Sequence, residues 1–144
     1  MRDALKLPRD IYNAMVAHVK AELPNEGCGI IAGKDGVAMK LYATRNAEAS
    51  PFRYSIDPAD QIKARLEMDK MGWDELVIYH SHVASRAYPS PTDVRLSQWP
   101  AEPPIDLYPD ACYVLISLAD PKAADVRAYT IHAGEVTEVG LEVY

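Results

Sequence analysis

Residues 75–81, Glu-Leu-Val-Ile-Tyr-His-Ser (ELVIYHS), run directly into His82, and their reading decides the fold. β-Branched and aromatic side chains dominate the run and fit the pleated surface of a sheet, so it predicts a central strand. Toward the C-terminus, three more strand-like runs lie at 112–118, 126–132 and 135–143, with a tight hairpin at Gly134 between the last two. Toward the N-terminus, GCGIIAG (27–33) and VAMKLYAT (37–44) flank Lys34-Asp35-Gly36 and predict a β-hairpin. Residues 52–56 predict a further short strand. Pro8 suits the first position of a helix. Ile11, Met15 and Val19 recur at four-residue spacing along it, and Pro24 ends it near Leu23. Asp57-Pro58 reads as the N-cap and first residue of a second helix, with Ile62, Leu66 and Met68 as its apolar face and Gly72 as its stop. A short third helix is expected at 91–98. Six of the eleven prolines fall between Pro89 and Pro109, so 100–110 is expected to be a long irregular loop. The sum is an α/β fold, a mixed β-sheet flanked by helices.

The chain of 144 residues matches one domain, taken as 1–144. Apolar residues make up 49% and charged residues 25%, with a formal net charge of −6. That balance argues against a nucleic-acid or anionic-membrane partner, either of which calls for a basic patch. No apolar run approaches the roughly 18 residues of a membrane span. The N-terminal stretch MRDALKLPRDIYNAM mixes charge with apolar residues and lacks the hydrophobic region of a secretion signal, so a cytoplasmic setting is expected. The two cysteines, Cys28 and Cys112, form no CxxC pair and read as reduced thiols rather than a disulfide scaffold. Repeats and low-complexity tracts are absent.

Chemistry concentrates at His80-Ser81-His82. Side chains at i and i+2 of a strand share a side, so both imidazoles can reach one point where the strand meets a loop. Converging neutral nitrogens suit a metal, with a carboxylate as the usual third ligand and water in the fourth position of a catalytic zinc site. Asp93 lies within one loop's reach. Ser90-Pro91-Thr92-Asp93 also has a metal-free explanation, a helix start capped by serine with an acid at the third position. The two readings are compatible, since a capped helix start is a rigid platform for Asp93. Cys28 with His80 or His82 would make a Cys–His nucleophile, but a small buried thiol also explains it. Cys112 alternates with Val114 and Ile116 and belongs to the core. His18 and His132 read as structural or exposed. Trp99 either anchors the end of the short helix or lines a groove. Arg86 and Tyr88 lie in the loop before Ser90, and no spacing argument assigns them a role.

His80-Ser81-His82, seven residues, Ser90, two residues and Asp93 resemble the metal motif of the JAMM (MPN+, Mov34/MPN/PAD-1) metalloproteases. The upstream segment of that family, which carries a glutamate, resembles Pro24-Asn25-Glu26-Gly27-Cys28-Gly29-Ile30-Ile31-Ala32-Gly33, and YVLISL (113–118) resembles the strand after the motif. Val83 departs from the proline that many bacterial members carry there, which touches loop shape and not a ligand position. The resemblance implies a single-domain MPN/JAMM fold, cytidine-deaminase-like. It implies Zn²⁺ held by His80, His82 and Asp93, with Glu26 as general base and Ser90 stabilising the oxyanion. It further implies hydrolysis of a peptide or isopeptide bond after the C-terminal Gly-Gly of a ubiquitin-like protein. This chain looks most like the small stand-alone bacterial members that process ubiquitin-like sulfur carriers. Two alternatives stand beside that reading: a non-catalytic MPN-type interaction module, and a metal-free cysteine hydrolase using Cys28. The oligomeric state is left open, a homo-oligomer included.

Overall fold

The structure, a computed structural model, describes residues 4–144; Met1, Arg2 and Asp3, part of the stretch read for a secretion signal, lie outside the described residues. In chain order the elements are β1 (Ala4–Leu7), α1 (Arg9–Ala21), β2 (Cys28–Lys34), β3 (Val37–Thr44), α2 (Pro58–Met71), β4 (Asp74–His82), α3 (Pro91–Leu96), β5 (Gln98–Trp99), β6 (Ile105–Asp106), β7 (Cys112–Ser117), β8 (Asp125–His132) and β9 (Glu135–Val143). Among the described residues, seven strands form one mixed sheet in the order β1-β9-β8-β7-β4-β2-β3. Its edge strands β1 and β3 curl into contact. β4 sits inside this sheet, antiparallel to β2 and parallel to β7, and is buried from Leu76 to His82. No described helix is long and apolar enough to cross a membrane.

Side-chain alternation along β4 divides the core in two. Val77 and Tyr79 face α1, where Met15 and Val19 join Leu5, Leu7, Ile31, Val114 and Ile116. Ile78 faces α2, where Ala64 and Met68 join Ile30, Tyr113, Leu115 and Tyr129. His80 and His82 follow Ile78 on that second face. On the α1 face, His18 Nδ1 lies 2.7 Å from the Tyr79 hydroxyl. A Cβ at Gly29 would overlap the Tyr79 ring, so the glycine in the Cys28-Gly29 pair makes room for that contact.

Four expectations are corrected. Residues 52–56 form no strand: apart from one bridge, Asn46 to Ile56, the segment is a loop. The Asn46 side chain organises it, accepting from the Glu48 and Ser55 amides at 3.0 Å and donating to the Arg53 carbonyl at 3.0 Å. These local bonds satisfy backbone groups that a ladder would otherwise use. The face of α2 is also different, because Ile62 and Leu66 are 60% and 65% exposed while Ala64 and Met68 pack on the sheet. Alanine lets the helix approach the sheet closely, and the isoleucine–leucine stripe is rotated outward. β1 was not anticipated, since its four residues gain their order by parallel pairing with β9 at the other end of the chain. Finally, α3 stops at Leu96, and β5 pairs with β6 across the proline-rich stretch, leaving Trp99 61% exposed rather than anchoring the helix.

Candidate metal centre and active site

His80 and His82 emerge on one face at the C-terminal end of β4, and α3 begins directly opposite. Ser90 caps that helix in the manner its sequence predicts: its Oγ accepts from the Asp93 amide at 3.0 Å. In return the Ser90 amide donates to Asp93 Oδ2 at 2.9 Å. The same Oδ2 lies 3.1 Å from His80 Nε2 and 3.0 Å from His82 Nε2. The capping box and the ligand cluster are therefore one construction, in which the cap orients the carboxylate toward both imidazoles. One ligand atom from each of His80, His82 and Asp93 falls within 4.8 Å of the others.

Donor chemistry at this cluster fits zinc. Two imidazole nitrogens and one carboxylate oxygen are the protein ligands of a catalytic site with a fourth position open. His82 Nδ1–H donates to the Arg86 carbonyl at 2.8 Å, which fixes the ring orientation with Nε2 toward the cluster, the usual outer support of a metal-bound histidine. His80 is held otherwise. Its Nδ1 is buried without a hydrogen-bond partner, and its ring stacks on Tyr54 with centroids 4.1 Å apart and planes 21° apart. Burial pushes the His80 imidazole below its usual range. Burial also lowers His82, but Asp93 and the Arg86 carbonyl outweigh it and hold that ring above its usual value. Burial raises Asp93, yet the bonds from both histidines and the Ser90 amide keep it far below the ordinary carboxylate range.

Glu26 joins from the neighbouring strand. Cys28 pairs with His80 in the antiparallel β2–β4 ladder, and continuing that register puts Glu26 opposite His82. Ser81, on the reverse face, clamps this alignment. Its Oγ accepts from the Gly27 amide at 2.8 Å and its own amide donates to the Gly27 carbonyl at 2.9 Å. The Glu26 backbone is tied on its other side, donating to the Ser50 carbonyl and accepting from the Asn46 side chain. Glu26 is 4% exposed and its Oε1 has no hydrogen-bond partner. Burial raises its pKa to about 7, with His82 opposing and Asp93 reinforcing the shift. A carboxyl poised near neutrality beside a ligand cluster has the properties of a general acid–base group.

All five residues singled out in the sequence, Glu26, His80, His82, Ser90 and Asp93, thus gather at one end of β4. Cys28 stays apart in chemistry. It is fully buried, its Sγ lies 3.5 Å from Thr44 Oγ1, and burial pushes the thiol up to about 11. Cys112 is buried in the core. His18 is part-buried against Tyr79, and His132 is on the surface, 3.8 Å from an Asp106 oxygen. Three contributors were not found from the sequence: Tyr54, the Arg86 carbonyl and the Ser81 hydroxyl. Only Ser81 carried a signal, its place between the two histidines.

Residues 8–132 match the family described as prokaryotic homologs of the JAB domain. The chain is 40% identical over 141 residues to the CysO-cysteine peptidase of Mycobacterium tuberculosis (strain ATCC 25618 / H37Rv), covering 96% of this chain and 90% of that one. It is 35% identical over 96 residues to a probable TtuB-protein conjugate cleaving protease of Thermus thermophilus, covering 66% and 64% of the two chains. The solution structure of a protein from Desulfitobacterium hafniense superposes with a TM-score of 0.81 at 33% identity, covering 96% of this chain and 92% of that one. By the family match, by this identity over nearly its whole length and by its curled mixed sheet, the chain belongs to the prokaryotic homologues of the JAB domain, small members of the JAMM/MPN family.

Proposed function

We propose that this protein is a zinc-dependent peptidase that hydrolyses the bond after the C-terminal Gly-Gly of a ubiquitin-like sulfur-carrier protein. Relatives named as a CysO-cysteine peptidase and a conjugate-cleaving protease support a hydrolase. The observation that carries the reading is the convergence of His80 Nε2, His82 Nε2 and Asp93 Oδ2 beside the buried Glu26 carboxyl. His80, His82 and Asp93 would hold the ion. Bound there, zinc supplies Lewis-acid polarisation of the scissile carbonyl and lowers the pKa of water. Glu26 takes the proton of the attacking water and passes it to the leaving nitrogen. Ser90 Oγ accepts from the Asp93 amide, which leaves its hydroxyl hydrogen free to donate to the oxyanion.

A tail ending in Gly-Gly carries little side-chain information and suits extended binding through main-chain hydrogen bonds. The folded carrier supplies the remaining affinity, so free tail peptides are poor substrates. A net charge of −6 favours a carrier surface that is neutral or basic. The two buried thiols fit a reducing, cytoplasmic setting. The complete ligand set weighs against a non-catalytic module, and the raised, buried Cys28 thiol weighs against a cysteine hydrolase. Mass spectrometry on a carrier extended by cysteine beyond Gly-Gly tests the reading. Cleavage immediately after Gly-Gly, abolished by chelator, is the expected result. Chelator-insensitive cleavage, or equal cleavage of a tail lacking Gly-Gly, contradicts it.

A further inference from the structure

The loop 83–89 is exposed at Ala84, Ser85, Arg86 and Tyr88, yet three consecutive carbonyls tie it to the sheet. Ser85 accepts from Ser117 Oγ at 2.6 Å, Arg86 from His82 Nδ1 at 2.8 Å, and Ala87 from the Tyr129 hydroxyl. The loop thus presents its side chains from a fixed backbone. The Arg86 guanidinium lies over the Tyr88 ring, 4.7 Å from its centroid, and Tyr88 meets Tyr129 edge-on at 5.4 Å. A cation over an aromatic face on a rigid support is held in place without neutralising its charge.

Arg45, Arg65 and Arg127 are each paired with carboxylates, whereas no described carboxylate pairs with Arg86. Arg86 opens onto a cleft of about 480 Å³ shared with His82 and Ser90 and lined by no acidic residue. A second cleft of about 420 Å³ lies on the Tyr54 side, with Leu96, Leu107 and Tyr108 in its wall. Arg53 and Arg95 line that one, but no member of the His80–His82–Asp93–Ser90 cluster does. The cleft at the ligand cluster itself therefore carries one cation, Arg86, and no acidic residue, whereas the Tyr54-side cleft carries Glu48 beside its two arginines and lies off that cluster.

We propose that Arg86 binds the free α-carboxylate of a single amino acid leaving group, so that the enzyme releases one C-terminal residue from its carrier in preference to splitting isopeptide bonds to protein lysines. The proposal rests on the hydrolase reading above and adds the leaving group to it. In an amide between the carrier's terminal glycine and an amino acid, the α-carboxylate is two bonds from the scissile nitrogen, so it must sit at the reaction centre. In an isopeptide to a lysine side chain, no carboxylate is near. In the reaction, the oxygen of water bonds to the glycine carbonyl carbon and the C–N bond breaks. The proton lost by water goes to the departing amine, and the free amino acid leaves with its carboxylate on Arg86. Charge-assisted hydrogen bonds to a planar guanidinium give such recognition both strength and direction.

The test compares two substrates on the full-length, zinc-loaded enzyme: the carrier ending in Gly-Gly-Cys with a free carboxylate, and the same carrier with that carboxylate amidated. The wild type should prefer the acid by roughly 10- to 100-fold in kcat/KM, the worth of a hydrogen bond to a charged group. Arg86→Gln should bring the acid down to the amide, and Arg86→Lys should keep part of the preference. Equal kcat/KM for acid and amide in the wild type overturns the proposal and leaves the hydrolase reading standing. A preference kept in full by Arg86→Gln overturns the assignment to Arg86. Cleavage of neither substrate overturns the proposal together with the reading beneath it.

Discussion

His80 and His82 are two residues apart on one strand and point at the same carboxylate oxygen, yet different forces hold them. His82 is oriented by a hydrogen bond to a backbone carbonyl, that of Arg86. Any residue at position 86 supplies that acceptor, so the support belongs to the loop's path rather than to a side chain. His80 has no such bond, and the flat face of Tyr54 lies against its ring. Tyr54 comes from the irregular segment organised by Asn46, so its support depends on one aromatic side chain. Two histidines of equal rank in the sequence motif therefore have unequal tolerance to change around them. The backbone acceptor is insensitive to substitution of the side chain it belongs to, and the stack is not.

The largest expected effect sharpens the His82 side of this contrast. In the proposed mechanism Glu26, opposite His82, accepts a proton and does not hold the ion, so Glu26→Gln should lower turnover by ~10²–10⁴-fold with zinc content unchanged. Steady-state kinetics with elemental analysis checks both halves, and near-wild-type turnover would make Glu26 a structural residue. On the His80 side, Tyr54→Ala should weaken zinc affinity by roughly 10-fold or more, the scale of losing a metal ligand's outer support, while Tyr54→Phe keeps the stack and the affinity. Chelator competition reads this directly; an unchanged dissociation constant in Tyr54→Ala would show that His80 needs no stack.

A smaller effect appears in stability. The folded-state pKa of Glu26 is raised from 4.5 to about 7 by burial. Between those values the unfolded chain has released the proton and the folded one retains it, so stability falls as pH rises through this window. Glu26→Gln removes the penalty. With chelator present it should be more stable than wild type at pH 8 by about 3 kcal/mol, and no more stable at pH 4. Urea titrations at the two pH values decide it, and an equal gain at both would contradict the assigned cause. The smallest effect belongs to Cys28: Cys28→Ala should leave turnover near wild type, because a buried thiol raised to about 11 supplies no thiolate.

What was legible in the sequence was local. The strand at 75–81, the capping pattern Ser90–Asp93 and the pairing of His80 with His82 each follow from spacings within a few residues, and the structure contains all three, the strand extended by one residue at each end. Glu26 was found only through the resemblance of residues 24–33, because its alignment with His82 depends on which strand β2 pairs with. The errors share that cause. Ile62 and Leu66 have helical spacing, but tertiary packing turned Ala64 and Met68 inward instead. Residues 52–56 have strand-like composition, but Asn46 captured their backbone. The supports of the histidines, a carbonyl on a loop and a ring from a distant segment, leave no periodic trace at all.

Whether His80, His82 and Asp93 together hold one zinc ion is read from elemental analysis of protein purified without added metal. About one zinc per chain is expected in the wild type and its loss in His82→Ala, with the fold retained by circular dichroism. A wild type free of zinc, or His82→Ala retaining the full complement, would contradict it.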